Sequence, residues 1–301
     1  MVADMNAPDS FDAWMRDALA RTERSLESWV PGDAPAALGE AMRYGVLDGG
    51  KRLRPMLVLA ACEAVQGHPG AALRAAAAVE LIHAYSLVHD DMPCMDNDVM
   101  RRGKPTVHVR YGEAGAMLAG DAMQALAFEV LTPPESEMPL ALQARLCGLL
   151  ARSAGSAGMA GGQAIDLASI GLPLDEAQLR DMHRRKTGAL LQASVLMGAA
   201  TGPTRADSWR ALSDFGAAIG LAFQVVDDIL DVTQPSDKLG KTAGKDAHHG
   251  KPTYVTVLGL DAARTEAQAL RRAAHEALAR SGLPACARLG MLADLVVDRD
   301  C

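Results

Sequence analysis

Two clusters of carboxylates stand out because of where they sit. Asp90-Asp91-Met92-Pro93-Cys94-Met95-Asp96 closes one strongly apolar run, and Asp227-Asp228-Ile229-Leu230-Asp231 interrupts another. In a helix Asp227 and Asp231 lie one turn apart, about 6 Å along the axis, on the same face. Gln224 precedes them on the face of Asp228 and Asp231. Pro93 breaks the first helix and lets Asp96 fold back beside Asp90 and Asp91. Carboxylates crowded among apolar residues repel one another and are costly to bury unpaired. A hard divalent cation removes that cost, and magnesium takes one or two carboxylates per ion, with phosphate oxygens and water completing its shell. An EF-hand is excluded, because no glycine occupies the sixth position after Asp91 or Asp96.

Cations supply the complementary half of a polyphosphate site. Gly49-Gly50-Lys51-Arg52-Leu53-Arg54-Pro55 places three of them on a glycine-led loop just before a helix start. Backbone N–H groups, lysine and arginine in that setting suit a phosphate. Arg101-Arg102-Gly103-Lys104 follows the first acidic cluster, and Arg184-Arg185-Lys186-Thr187, Lys241, Lys245 and Lys251 come later. Gly45 to Lys51 imitates a P-loop, but Arg52 stands where the metal-binding Ser or Thr belongs and no strand precedes it. Gly240-Lys241-Thr242 fails too, with Pro235 at the first glycine position. The histidines form no HExxH pair, which removes the zinc hydrolases.

The elements that must carry these groups are helices. Apolar residues recur with helical period over Phe11–Val30, Leu38–Leu47, Pro55–Val65, Leu73–Met92, Gly115–Leu131, Pro139–Met159, Leu174–Leu196, Trp209–Val232, Thr253–Arg280 and Cys286–Asp298. Aromatic residues are 4% of the chain, too few for a typical β-sandwich or barrel, while alanine-rich runs recur. Pro and Gly are scattered evenly with no linker between blocks. The expectation is one all-α domain over residues 11–301 after a flexible N-terminus of residues 1–10. A net charge of −7 argues against general nucleic-acid binding. Five dispersed cysteines without a CxxC pair indicate a reducing compartment. Arg74, Glu80 and His83 interrupt the most apolar run, so no clean membrane span is expected. Met1 to Asp12 lacks the cationic start and apolar run of a signal peptide. These features predict a soluble cytoplasmic protein.

The motifs together resemble the trans-isoprenyl diphosphate synthases, and within that family most closely the bacterial members that make farnesyl diphosphate. The resemblance runs from about Leu38 to Arg299. It is carried by Gly50-Lys51-Arg52-Leu53-Arg54-Pro55, DDxxxxD at 90–96 with Arg101-Arg102-Gly103, and Gly161-Gly162-Gln163 with Asp166. Lys186-Thr187-Gly188, Phe223-Gln224 ahead of DDxxD at 227–231, and Leu239-Gly240-Lys241 continue it. The resemblance implies an all-α bundle around a central cavity, an aspartate motif on each of two facing helices, and Mg²⁺, three ions in the usual case, with Mn²⁺ as an alternative. It implies Asp90, Asp96 and Asp227 as direct ligands, assisted by Asp91 and Asp231, with Asp228 in the catalytic set. Arg101, Lys186, Thr187, Gln224, Lys241 and Lys251 would hold an allylic diphosphate. Lys51, Arg54, His83 and Arg102 would hold isopentenyl diphosphate. His83 lies seven residues before Asp90, on nearly the same helix face.

In such a site cations stabilise the leaving diphosphate, the allylic carbon–oxygen bond ionises, and the double bond of isopentenyl diphosphate attacks the cation. Product length is then a packing matter. Tyr85 lies five residues before Asp90, about 7.5 Å down the helix, and a ring there would form the floor. The resemblance links that aromatic residue, and the inserted Pro93-Cys94, with a fifteen-carbon limit, while Ser86 leaves room beyond ten carbons. The expected product is farnesyl diphosphate from dimethylallyl and geranyl diphosphates. A geranylgeranyl diphosphate synthase of the same class is the nearest rival. A terpene cyclase is disfavoured because its Asn/Ser/Glu metal motif is absent. A non-catalytic helical partner subunit is the rival from another class. Homodimers, usual in the family, are expected here.

Overall fold

The computed structural model describes residues 10–47, 49–234 and 252–299. The described residues are 74% helical with almost no strand, as expected of an all-α protein. In chain order the helices are α1 (Phe11–Trp29), α2 (Leu38–Val46), α3 (Leu53–Ala64), α4 (Pro69–Asp90), α5 (Val107–Val130), α6 (Leu140–Ala154), α7 (Met159–Ala168) and α8 (Glu176–His183). A π-helical turn over Arg184–Gly188 joins α8 to α9 (Ala189–Ala200). After these come α10 (Ala206–Thr233), α11 (Tyr254–Leu258), α12 (Leu260–Ser281) and α13 (Ala287–Val297). A two-residue hairpin, β1 (Met100–Arg101) against β2 (Lys104–Pro105), sits between α4 and α5.

Local chemistry sets the helix ends. Ser10 Oγ accepts from the Ala13 N–H at 3.2 Å to start α1. Asp175 and Gln178 form a reciprocal capping box at α8, as do Thr253 and Thr256 at α11. Helix α4 begins at Pro69, earlier than the apolar period suggests, because proline suits the first helical position and His68 caps it. Three expected long helices are interrupted. The segment 174–196 carries the π-helical turn, and 253–280 is divided at Gly259, whose φ of 84° breaks the helix. The segment 139–159 likewise stops at Ala154 before α7 begins.

Packing follows from side-chain size. Helix α4 is by length and composition apolar enough to cross a membrane, yet its alanine face, Ala75 to Ala78, is fully buried among α3, α5 and α9. Small residues allow close approach elsewhere. A Cβ on Gly198 of α9 would lie 2.2 Å from the Val58 carbonyl oxygen of α3. On Gly162 of α7 it would lie 2.2 Å from the Lys186 nitrogen, so this glycine lets the π-helical turn nest against α7. Helix α10 packs on α9 and α12, and α13 closes against α12, α10 and α3.

Candidate active site

The first acidic cluster leaves the end of α4 and folds back on itself. The Asp96 N–H donates to the Asp90 carbonyl at 2.8 Å, and the Asp98 N–H to the Asp91 carbonyl at 3.1 Å. Asp91 is buried and gripped by Arg101 of the hairpin, which donates from Nε to both carboxylate oxygens at 2.9 Å and from Nη2 to Oδ1 at 2.7 Å. Asp90 instead lines a cavity of about 280 Å³, together with Arg54, His83, Tyr85, Gln163, Lys186 and Thr187. Burial, reinforced by Asp96 and Asp91, pushes the Asp90 carboxyl up to about 6 against the pull of Lys186 and Arg101. Burial and the cations Arg54, Arg102, Arg101 and Arg52 hold His83 well below its usual range, so its imidazole is neutral at neutral pH.

The second cluster is built into α10. Gln224 Nε2 donates to Asp228 Oδ1 at 2.8 Å, and the Tyr254 N–H donates to Asp228 Oδ2 at 2.7 Å. Thr187 Oγ1 donates to Gln224 Oε1 at 3.0 Å, so the cavity wall at Thr187 is bonded directly to α10. The π-helical turn is what lets consecutive residues do this work: Lys186 reaches Asp166 Oδ2 at 2.5 Å while Thr187 faces Gln224. The charge of Lys186 acts on Asp90. Burial lowers the nearby His183 to about 4, with Asp166 and Asp227 raising it and Lys186 lowering it.

The structure divides the residues expected to bind isopentenyl diphosphate. Arg54 and His83 line the cavity with Asp90, whereas Lys51 lines a larger apolar cavity of about 500 Å³ between α1, α3, α10 and α13. Arg102 donates from Nη1 to the Gly49 carbonyl and packs where a Gly50 side chain would be. Arg101 is committed to Asp91. Lys241 and Lys251 lie outside the described residues, as do residues 1–9 of the expected flexible terminus and residues 300–301. Asp231 is buried in α10. Ser86 turns its hydroxyl back to the His83 carbonyl at 2.9 Å. Tyr85 is half-buried, its ring edge-on to His89 at 5.7 Å, and Gln124 of α5 donates to its hydroxyl at 3.4 Å.

Sequence reasoning gave Gln163 no role, although it named the Gly161-Gly162-Gln163 motif. Gln163 Nε2 and Arg54 Nε are buried at the cavity wall without a hydrogen-bond partner. Two orphaned donors in one cavity suit an anion. Gln124 was also missed; only the packing of α5 on α4 reveals it. Among the described residues no three His, Cys, Asp or Glu side chains converge to enclose a metal ion by themselves. Magnesium shared with a diphosphate needs fewer protein ligands. Burial, with Asp96 and Asp91 close by, raises Asp90 and marks a place where a cation is favoured, so the donor set fits such an ion.

An all-helical bundle with one aspartate motif at the end of α4 and another in α10 fits a class of diphosphate-handling enzymes, and a family model described as polyprenyl synthetase matches residues 35–282. The chain belongs to the polyprenyl synthetase family, the trans-isoprenyl diphosphate synthases, and is a prenyltransferase of that magnesium-dependent family. It is 47% identical to heterodimeric geranylgeranyl pyrophosphate synthase large subunit 1, chloroplastic, of Arabidopsis thaliana, over 90% of this chain and 75% of that protein. A crystal structure of a FPP/GFPP synthase from Zymomonas mobilis is 40% identical, with a TM-score of 0.85 over 95% of this chain and 98% of that one. A geranyltransferase from Helicobacter pylori, solved with magnesium and isoprenyl diphosphate, is 33% identical, with a TM-score of 0.83 over 98% of both chains.

Two expectations change. Many relatives are plant geranylgeranyl diphosphate synthases, so the resemblance is to the family and not specifically to its bacterial farnesyl branch. The cytoplasmic assignment is overturned as well, because relatives from Arabidopsis thaliana and Catharanthus roseus are named chloroplastic.

Proposed function

We propose that the chain joins isopentenyl diphosphate to an allylic diphosphate and releases inorganic diphosphate. The observation that carries this reading is the single cavity in which Asp90, Arg54, His83, Lys186 and Thr187 meet beside two unpartnered donors. Asp90, Asp96 and Asp227, with Asp91 and Asp231 assisting, would hold the Mg²⁺. Bound there, the ions supply positive charge to the departing diphosphate. Lys186 adds its own charge at the same place, and the Thr187–Gln224 pair orients the allylic end. Neutral His83 and Arg54 bind the isopentenyl diphosphate, with Lys51 and Arg102 approaching from the loop side. The apolar walls exclude water that would quench the allylic cation. The double bond of isopentenyl diphosphate is the nucleophile, and the released diphosphate takes the proton lost in the last step, so the reaction needs neither a protein nucleophile nor a protein base.

For the product, the relatives weigh towards geranylgeranyl diphosphate, the reading first held as the rival. The farnesyl reading keeps one specific observation in its favour, the Tyr85 ring in the wall of the cavity that holds Asp90. For assembly, a homodimer is the family expectation, while relatives named as heterodimer large subunits favour a heterologous partner.

The test is incubation of the purified protein with dimethylallyl diphosphate, labelled isopentenyl diphosphate and Mg²⁺. Magnesium-dependent diphosphate release is expected; its absence would favour the non-catalytic partner subunit. Chromatography then separates fifteen- from twenty-carbon products. Under the farnesyl reading Tyr85→Ala lengthens the product, and an unchanged product distribution removes Tyr85 as the floor.

A further inference from the structure

The basic loop before α3 alternates direction. Lys51 is exposed, Arg54 lines the cavity of Asp90, and Arg52 between them turns inward, its side chain only 1% exposed. Its backbone is left-handed, with φ 45°, an uncommon state for a non-glycine residue. The guanidinium there meets three elements at once. Nε donates to Glu23 of α1 at 2.6 Å, Nη1 to Glu80 of α4 at 2.5 Å, and Nη2 to the Val46 carbonyl at the end of α2 at 2.6 Å.

Stability alone is a weak reason for such an arrangement. Well-packed apolar residues replace many buried ion groups with no loss, and this one also carries backbone strain. Its charges point to another role. One guanidinium facing two carboxylates leaves a net negative charge behind the loop. Glu80 acts on Arg54 and on Arg102, and Glu23 acts on Arg102, while Arg52 and Arg102 oppose each other. Burial lowers Arg54 to about 10 with Glu80 working against it. The two glutamates therefore counterbalance a cluster of cations that would otherwise repel one another before an anion arrives.

We infer that Arg52, tied to Glu23 and Glu80, is a positioning residue for the anion side of the site: it fixes the loop that leads into α3 so that Arg54 faces a diphosphate that Arg52 never touches itself. The inference depends on the prenyltransferase reading, since that diphosphate is the one on isopentenyl diphosphate. The fork geometry matters as much as the charge, because lysine cannot serve three acceptors in fixed directions.

The test compares wild type with Arg52→Met, Arg52→Lys and Glu23→Gln. The last lies at the more exposed end of the triad, and it keeps the question answerable if Arg52→Met does not fold. KM for isopentenyl diphosphate should rise about tenfold in Arg52→Met, with a smaller rise in Arg52→Lys and Glu23→Gln. KM for geranyl diphosphate and kcat should change much less. A lowered melting temperature with both KM values unmoved would reduce the triad to a scaffold and overturn the inference. Calorimetric titration with inorganic diphosphate separates the two claims. If wild type binds it but condenses nothing, the prenyltransferase reading fails on its own. Weaker binding by the Arg52 and Glu23 variants supports the positioning role, and equal binding refutes it.

Discussion

The two aspartate clusters solve one electrostatic problem in opposite ways. The first hangs from a helix end, and its chain reverses so that Asp96 returns to Asp90. Its buried member, Asp91, is neutralised by a full charge, the Arg101 fork from a neighbouring hairpin. The second lies within α10, where Asp228 and Asp231 are both buried, and Asp228 accepts from the Gln224 amide and from the N–H that begins α11. A charge-paired carboxylate suffers badly when its partner is removed, whereas a dipole-solvated one loses a hydrogen bond at a time. The adjacent Asp90 and Asp227 are the ligands that the proposed function assigns to Mg²⁺.

The strongest way to break this comparison is to remove those members. Asp90→Ala and Asp227→Ala should each lower kcat by about three orders of magnitude if leaving-group stabilisation is shared across both clusters. Steady-state rates at saturating Mg²⁺ measure it. A large loss at one site with a small one at the other would mean that the clusters do not act on a common ligand.

Removing Arg101 tests the supporting layer. Arg101→Met leaves Asp91 buried and uncompensated, and should cost about 3 kcal/mol of stability, reduced because Arg101 is itself 34% exposed. Urea unfolding of that variant and of Arg101→Met/Asp91→Asn is the measurement, with the double variant recovering most of the loss. Equal midpoints for the single variant and wild type would show that the fork contributes nothing.

Acid should move the two regions in opposite directions in the metal-free protein. Burial holds His183, 4.0 Å from Asp228, at about 4, so the unfolded chain takes up a proton below about 6.5 that the native chain refuses. Stability from this residue is complete above that value and is lost as pH falls towards 4. Asp90 behaves in the reverse sense: the native carboxyl binds its proton near 6, before the unfolded one does, and gains stability on acidification. Between pH 7 and 5, His183→Gln should therefore lose about 2 kcal/mol less than wild type. Unfolding midpoints at the two pH values decide it, and parallel losses in both proteins would place the acid sensitivity elsewhere.

What was legible in the sequence follows the same division. The carboxylates, the loop cations and the helical framework are encoded by residue type and local period, so the motifs at 90–96 and 227–231 could be read directly. Their partners could not. Arg101 was assigned to an allylic diphosphate and is found on Asp91; Asp228 was grouped with the catalytic residues and is found holding the start of α11. Those pairings bridge elements, as does Arg52 with Glu23 and Glu80 across 29 and 28 residues. No local pattern announces a contact made only when α1, α3 and α4 pack. The π-helical turn was hidden for a related reason, since it nests against α7 at Gly162, while the break at Gly259 is a local glycine with φ of 84° that the helical period passed over.

The smallest expected effect is the most discriminating. Asp228→Asn keeps the shape of the side chain but replaces one accepting oxygen with a donor, so it can serve Gln224 or Tyr254 and not both. One buried donor is left unsatisfied, a loss of about 1 kcal/mol visible in the melting temperature. The Mg²⁺ concentration for half-maximal rate should stay near the wild-type value, in contrast to Asp227→Asn, which removes a proposed ligand charge. If Asp228→Asn shifts the Mg²⁺ dependence as far as Asp227→Asn does, then Asp228 is itself a ligand. The division of roles between Asp227 and Asp228 would then give way to a second cluster that binds metal through adjacent carboxylates.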